Sequence, residues 1–257
     1  MDNQLINPIF IGHGSPINII KDNSYTNFLK SYAKTIIKPK AIVVISAHWL
    51  TRDIYITASP QPKQIYDFYG FPDELYKTNY SPSGDKDLAI DISSSIPDIK
   101  MDINRGIDHA AWAVIMHMFP DGDIPVLEIS LDIDKTEIEH YELSKKLKKY
   151  SEKGILLIGS GNIVHNLRDI DFDDNSKPFN WAIEADQWLK ERIENYKIDE
   201  ILHYKDFMPN YFRAIPTDDH FLPLLYILGM KEKHNKMKTI FEEIQNGSIS
   251  MRCFELC

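Results

Sequence analysis

The sequence predicts an α/β fold, one domain over residues 1–257 with a central sheet covered by helices on both faces. Three observations carry this expectation. Short apolar runs rich in Ile and Val alternate with stretches of helical periodicity along the whole chain. No internal repeat, low-complexity segment or Gly/Ser linker interrupts the order. Two of the runs, "PIFIGH" and "AIVVISAH", end on a histidine, as strands that deliver side chains to a site at a sheet edge would.

In chain order, "PIFIGH" (8–13) and "AIVVISAHW" (41–49) read as strands. Between them, Tyr25, Phe28, Leu29, Tyr32 and Ile36 follow helical spacing behind an Asn23 or Ser24 cap. "DIYITAS" is a short alternating strand, "GDKDLAIDISSSI" a helix with an acidic first turn, and "AAWAVIMHMF" a buried helix. "IPVLEISLD" and "GILLIGSG" return as strands around "KTEIEHYELSKKLKKYSEK", which reads as one long amphipathic helix. "NWAIEADQWLKERIEN" is a further amphipathic helix. "HFLPLLYILG" is helical with Pro223 in its first turn, where a missing N–H costs little. The tail predicts a β-hairpin around Asn246-Gly247, a strong turn dipeptide.

Apolar residues make up 43% and charged residues 26%, ordinary for a soluble globular chain. A formal charge of −9 leaves no basic excess for nucleic acid or an anionic membrane, and the lysines are interleaved with acids on solvated helix faces. Cys253 and Cys257 are too close together to staple a fold and lack a nearby partner pair for a metal. "MDNQLINPIF" has no basic-then-apolar pattern, and no apolar run approaches the roughly 18 residues of a membrane span. The expected location is the cytoplasm.

Five of the nine histidines sit in loop or strand-end contexts. His13 lies between Gly12 and Gly14, His48 follows Ser46-Ala47, and His165 follows a Gly-Ser-Gly turn. His109 stands behind Asp108, a plausible helix cap, where the helix dipole lowers an imidazole pKa. His220 follows Asp218 and Asp219. By contrast His117 reads as core or interface, and His140, His203 and His234 as surface. Neutral imidazoles gathered at strand ends suit a mononuclear Fe(II) or Zn(II) site assembled from distant loops, since no HExxH or CxxC signature is present.

Six motifs then stop being generic: "GHGSP", "SAHW", "YDFYGFPDELY", "GIDHAAWAVIMHMFPDGDIPVLEISLD", "GSGNIVHNLR" and "PTDDHFLPLLYILG". In this order, over residues 12–229, they closely resemble the 4,5-DOPA extradiol dioxygenase family. These are class III extradiol ring-cleavage dioxygenases, related to the protocatechuate 4,5-dioxygenase β-subunit. The resemblance implies a three-layer α/β/α catalytic domain over residues 1–257, with a central mixed sheet and one metal. Fe(II) is the implied working ion, with Zn(II) found in the same position in relatives. His13, His48 and His220 match the metal positions, with Asp218 or Asp219 as alternatives to His220 as third ligand. His165 matches the acid/base histidine, which could also close a fourth metal position. His109 matches a second pocket histidine.

The implied reaction joins a small-molecule catechol such as DOPA to O₂ and gives a muconic semialdehyde. Ser15, Trp49 and Tyr69 are candidates for substrate contact, the last within the aromatic run Tyr66, Phe68, Tyr69, Phe71. Ser15 and Asn166 could equally serve only their turns. Two other classes use the same histidines: a zinc hydrolase, with Asp108 or Asp219 as base, and a Memo-like binding protein without turnover. The sequence assigns no oligomeric state and does not name the catechol.

Overall fold

Among the described residues there are ten strands: β1 (Ile9–Gly12), β2 (Ala41–Thr51), β3 (Ile54–Thr57), β4 (Ile99–Asp102), β5 (Val126–Asp132), β6 (Ile155–Gly161), β7 (Met237–Phe241), β8 (Ile244–Gln245), β9 (Ile249–Ser250) and β10 (Cys253–Leu256). They are seen in a computed structural model that describes residues 5–173 and 176–257. Eight of them make a mixed sheet in the order β4-β3-β5-β2-β6-β1-β10-β7, and β8 and β9 pair separately. The four central strands, β5, β2, β6 and β1, run parallel, while β10 and β7 add antiparallel edges.

Alternation along these strands divides the core into two halves. Ile9, Ile11, Ile42, Val44, Leu156 and Ile158 face one way, against the helices Ser24–Tyr32 and His109–Met118. Phe10, Val43, Ile45, Ile129 and Leu157 face the other. There they meet the helices Lys86–Ser95, Glu137–Ser144, Asn180–Glu194 and Leu222–Gly229. The result is a three-layer α/β/α arrangement, as the sequence predicts. Among the described residues, no helix is long and apolar enough to cross a membrane.

Several local expectations are met. Asn23 caps the first helix through a capping box with Thr26. Lys86–Ser95 has the expected acidic first turn, in Asp87, and Pro223 sits in the first turn of Leu222–Gly229. Asn246 and Gly247 both take positive φ (53° and 73°), the turn that closes β8 on β9. The longer β7 and β10 leave this small hairpin and pair in the main sheet.

Two expectations are corrected and one strand is added. The helix expected over 135–153 is two pieces, Glu137–Ser144 and Lys148–Ser151. Ser144 Oγ donates to the Tyr141 carbonyl at 2.6 Å, and Gly229 packs so closely that a Cβ there would stand 1.9 Å from that hydroxyl. His140, expected on the surface, is fully buried. Its Nδ1 meets the Tyr226 hydroxyl at 3.0 Å and its Nε2 the Asp132 carbonyl at 3.1 Å, so its polar atoms are satisfied inside. Edge strand β4, of only four residues, carries too short a pattern to be read and was not anticipated.

Candidate active site and metal centre

The carboxyl ends of β1, β2 and β6 lie side by side, with Gly12 opposite Gly161 and Ser46 opposite Ser160. Each delivers a histidine. His13 follows β1 directly, its N–H donating to the Gly161 carbonyl at 3.0 Å. The chain then turns through Gly14 at φ 65°, a conformation that disfavours a side chain. His48 sits where β2 slips out of register with β5 between Ile45 and Leu50, an irregularity that re-aims side chains at strand ends. The His165 N–H is held by the Ala214 carbonyl at 2.9 Å.

His220 arrives by close backbone approach. Its carbonyl accepts from Asn162 N–H at 2.9 Å and lies where a Cβ on Gly161 would be 2.1 Å away, so only glycine fits there. His109 is the first residue of its helix, capped by the Asp108 side chain on the Ala110 N–H at 3.1 Å.

Ligand atoms of His13, His48 and His220 lie within 4.8 Å of one another. Each ring is held from behind through Nδ1. That of His48 is 2.9 Å from Asp67 Oδ2, and that of His220 is 2.7 Å from Asp219 Oδ2. The Nδ1 of His13 is 3.1 Å from Ser160 Oγ, whose own proton goes to the Ala110 carbonyl at 2.6 Å. Ser160 therefore accepts, and all three histidines carry their proton on Nδ1. Their Nε2 lone pairs are left unprotonated, and those of His13 and His48 face each other at 3.2 Å.

Two acceptors at that distance repel unless a cation lies between them. Nitrogens each about 2.0–2.1 Å from one ion stand about 2.9–3.4 Å apart at angles between tetrahedral and octahedral. The donor set therefore fits one borderline metal ion, oriented from behind by two carboxylates and a hydroxyl.

Burial, and then the neighbouring imidazoles, push the His13 pKa well below its ordinary value. Burial also lowers those of His220, His165 and His109, with Asp219 partly opposing for His220 and Asp67 for His109. For His48 burial acts in the same direction, but the Asp67 hydrogen bond and the charges of Asp108, Asp67 and Asp219 outweigh it and raise the pKa. The carboxyls of Asp67 and Asp219 are depressed: burial opposes this, but the histidine partners of each prevail.

His220, rather than Asp218 or Asp219, joins the cluster. Asp219 holds its ring and Asp218 is half-exposed, 3.8 Å from Lys205. His165 is not in the converging set. It lies flat on His220, ring centroids 3.6 Å apart, with no hydrogen bond to its ring nitrogens among the described residues. His109 packs edge-on to His48 at 4.2 Å between centroids.

The candidates for substrate contact are placed differently. Ser15 caps the short 3₁₀ helix Pro16–Ile19. Trp49 is buried under the Arg105 guanidinium, 5.2 Å from its ring centroid. Tyr69 is 91% exposed, and the adjacent Phe68 is the ring that meets His109, edge-on at 5.5 Å. Asn166 caps the turn Leu167–Asp169. Sequence reasoning missed Asp67 and Ser160. Asp67 was readable only as a charge isolated in the aromatic run "YDFYGF", while Ser160 looks like any small strand-end residue.

The sequence profile described as the catalytic LigB subunit of aromatic ring-opening dioxygenase matches residues 9–252. The chain is 37% identical over 253 residues to the 4,5-DOPA dioxygenase extradiol of Escherichia coli K12, covering 95% of this chain and 92% of that one. It is 35% identical over 250 residues to the protein of the same name from Beta vulgaris, covering 94% and 92%. The crystal structure of an uncharacterized protein of Escherichia coli K12 superimposes with a TM-score of 0.85 at 33% identity, covering 98% of this chain and all of that one. With the histidine cluster at the strand ends, these likenesses show that the chain belongs to the LigB family of aromatic ring-opening dioxygenases and is an extradiol ring-cleaving enzyme.

Proposed function

We propose that the enzyme uses Fe(II), held by His13, His48 and His220, to open the ring of a catechol, with DOPA the first substrate to test. The observation that carries this is the convergence of ligand nitrogens of His13, His48 and His220, with each Nδ1 facing Ser160, Asp67 or Asp219. DOPA enters because relatives over most of the chain carry the name 4,5-DOPA dioxygenase extradiol. When bound, Fe(II) supplies Lewis acidity toward the catechol oxygens and electrons toward O₂. Zn(II) suits the same three nitrogens and would occupy them as an inactive form. We take residues 1–257 as one catalytic domain and the cytoplasm as its setting, which agrees with two unpaired cysteines.

The chain's own contribution is proton handling and exclusion of water. His165 has a depressed pKa and free ring nitrogens, so it is a neutral base near neutral pH. It takes the proton of a catechol hydroxyl and returns it as the ring opens. His109 presents a second imidazole beside His48, and Phe68 walls the pocket against it. Both oxygen atoms of O₂ enter the semialdehyde, so no external reductant is needed. A zinc hydrolase would need a free carboxylate base. Asp108 is fully buried on Ser46 and Arg105, and Asp219 is committed to His220.

The test is anaerobic loading with Fe(II), then a panel of catechols with O₂, reading oxygen uptake and the yellow semialdehyde absorbance. Stoichiometric uptake with colour is expected. Catechol binding without uptake, or ester or amide cleavage under Zn(II) alone, would contradict the proposal.

A further inference from the structure

Asp67 reaches two histidines of different roles from a single loop. Its Oδ2 lies 2.9 Å from His48 Nδ1, while its Oδ1 accepts the backbone N–H of His109 at 3.0 Å. The His109 Nδ1 is also 2.9 Å from Oδ1, and like the His48 contact this is an ion pair rather than an aligned hydrogen bond. The loop is tied to the same helix that carries His109. Ile65 and Lys63 pair with Ile107 through backbone hydrogen bonds of 2.8 Å, and Trp112 Nε1 donates to the Ile65 carbonyl at 2.9 Å.

We propose that Asp67 is a positioning residue that sets metal affinity and the placement of the pocket imidazole together. By lying 2.9 Å from His48 Nδ1 in an ion pair, it favours the proton on that nitrogen and leaves the Nε2 lone pair to the metal. By accepting from the His109 N–H it seats the first residue of the helix beside the same site. Two N–H groups face it, one hydrogen-bonded at Oδ1 and one ion-paired at Oδ2, so both carboxylate oxygens are required. An amide offers one acceptor and one NH₂ group, which would leave one donor facing another. The proposal rests on the metal reading for His13, His48 and His220.

The experiment is Zn(II) titration of wild type and Asp67→Asn against a competing chelator, with Fe(II)-dependent catechol turnover measured in parallel. Loss of a carboxylate behind a metal histidine typically weakens affinity about 10–100-fold, and that loss is expected here together with a fall in kcat. In a His109→Ala background, Asp67→Asn should weaken Zn(II) binding by the same factor, while its effect on turnover shrinks. Nitrogen-15 spectra of the zinc-loaded wild type should show His48 protonated at Nδ1, a readout independent of whether the variant folds.

Wild-type zinc affinity in a folded Asp67→Asn protein, or a His48 proton on Nε2 in wild type, would overturn the proposal alone. Zinc that binds without shifting His13, His48 and His220 would overturn the metal reading and this proposal with it.

Discussion

His165 lies flat against His220, with ring centroids 3.6 Å apart and planes only 7° apart. An imidazole binds a metal in its own plane. Rings stacked in parallel in this way would not both aim a nitrogen at one ion, so an ion held by His220 would leave His165 unligated. Of the two roles expected for His165, we propose the base on this geometry. His165→Ala should accordingly retain stoichiometric metal and lose about 10²–10⁴ in ring-cleavage rate, the usual cost of a positioned acid/base. Metal analysis and single-turnover kinetics on the same preparation check both halves. Unchanged turnover would remove the role.

The ligand trio makes a different prediction. His13→Ala, His48→Ala and His220→Ala should each abolish stoichiometric Fe(II) or Zn(II) binding while far-ultraviolet circular dichroism stays native. The three side chains act at the carboxyl ends of the central strands, and the two halves of the core lie along the strands behind them. Full metal retention in any of the three would remove that residue from the centre.

Gly161→Ala tests how His220 is placed. The new Cβ would stand 2.1 Å from the His220 carbonyl oxygen, a clash with backbone that no rotamer relieves. Overpacking of this kind costs about 1–3 kcal/mol, a fall in Tm of about 2–10 °C for a chain of this size. Metal affinity should fall with it, because the clash moves a ligand. A variant of native Tm and native affinity would show that His220 is positioned by other contacts.

Buried His140 links stability to pH. Burial lowers its pKa below the ordinary 6.5, although the Asp132 carbonyl partly opposes this. The unfolded chain then binds the proton more readily than the folded one. Its contribution is present above the unfolded value and is lost as pH falls through 6.5 toward the folded pKa. Thermal melts of wild type and His140→Gln between pH 7.5 and 5 should show a shallower acid decline in the variant. Parallel curves would mean that His140 does not titrate differently on folding.

Much of the architecture was legible because it rests on local physics. Continuous apolar runs such as "AIVVIS" and "GILLI" became central parallel strands, and Asn23, Asp108 and Pro223 marked helix starts through local chemistry that acts within four residues. His13, His48 and His220 stood out because glycines, a strand end and an acid pair surround them. What the sequence hid is non-local. Ser144 ends its helix early because Gly229 packs on it from a distant segment, and His140 is buried by Tyr226. Asp67 is a lone acid within an aromatic run, and its two histidine partners lie 19 and 42 positions away. Tyr69 and Phe68 differ only in which way the loop turns, and that choice is made by Trp112 and His109.

The most direct test is a crystal structure of the Zn(II)- or Fe(II)-loaded protein grown without oxygen. One ion about 2.0–2.2 Å from Nε2 of His13, His48 and His220, with His165 still stacked on His220 and unligated, is the result this account predicts. An ion bound through His165, or held on Nδ1 of any of the three with Asp67 or Asp219 displaced, would contradict it.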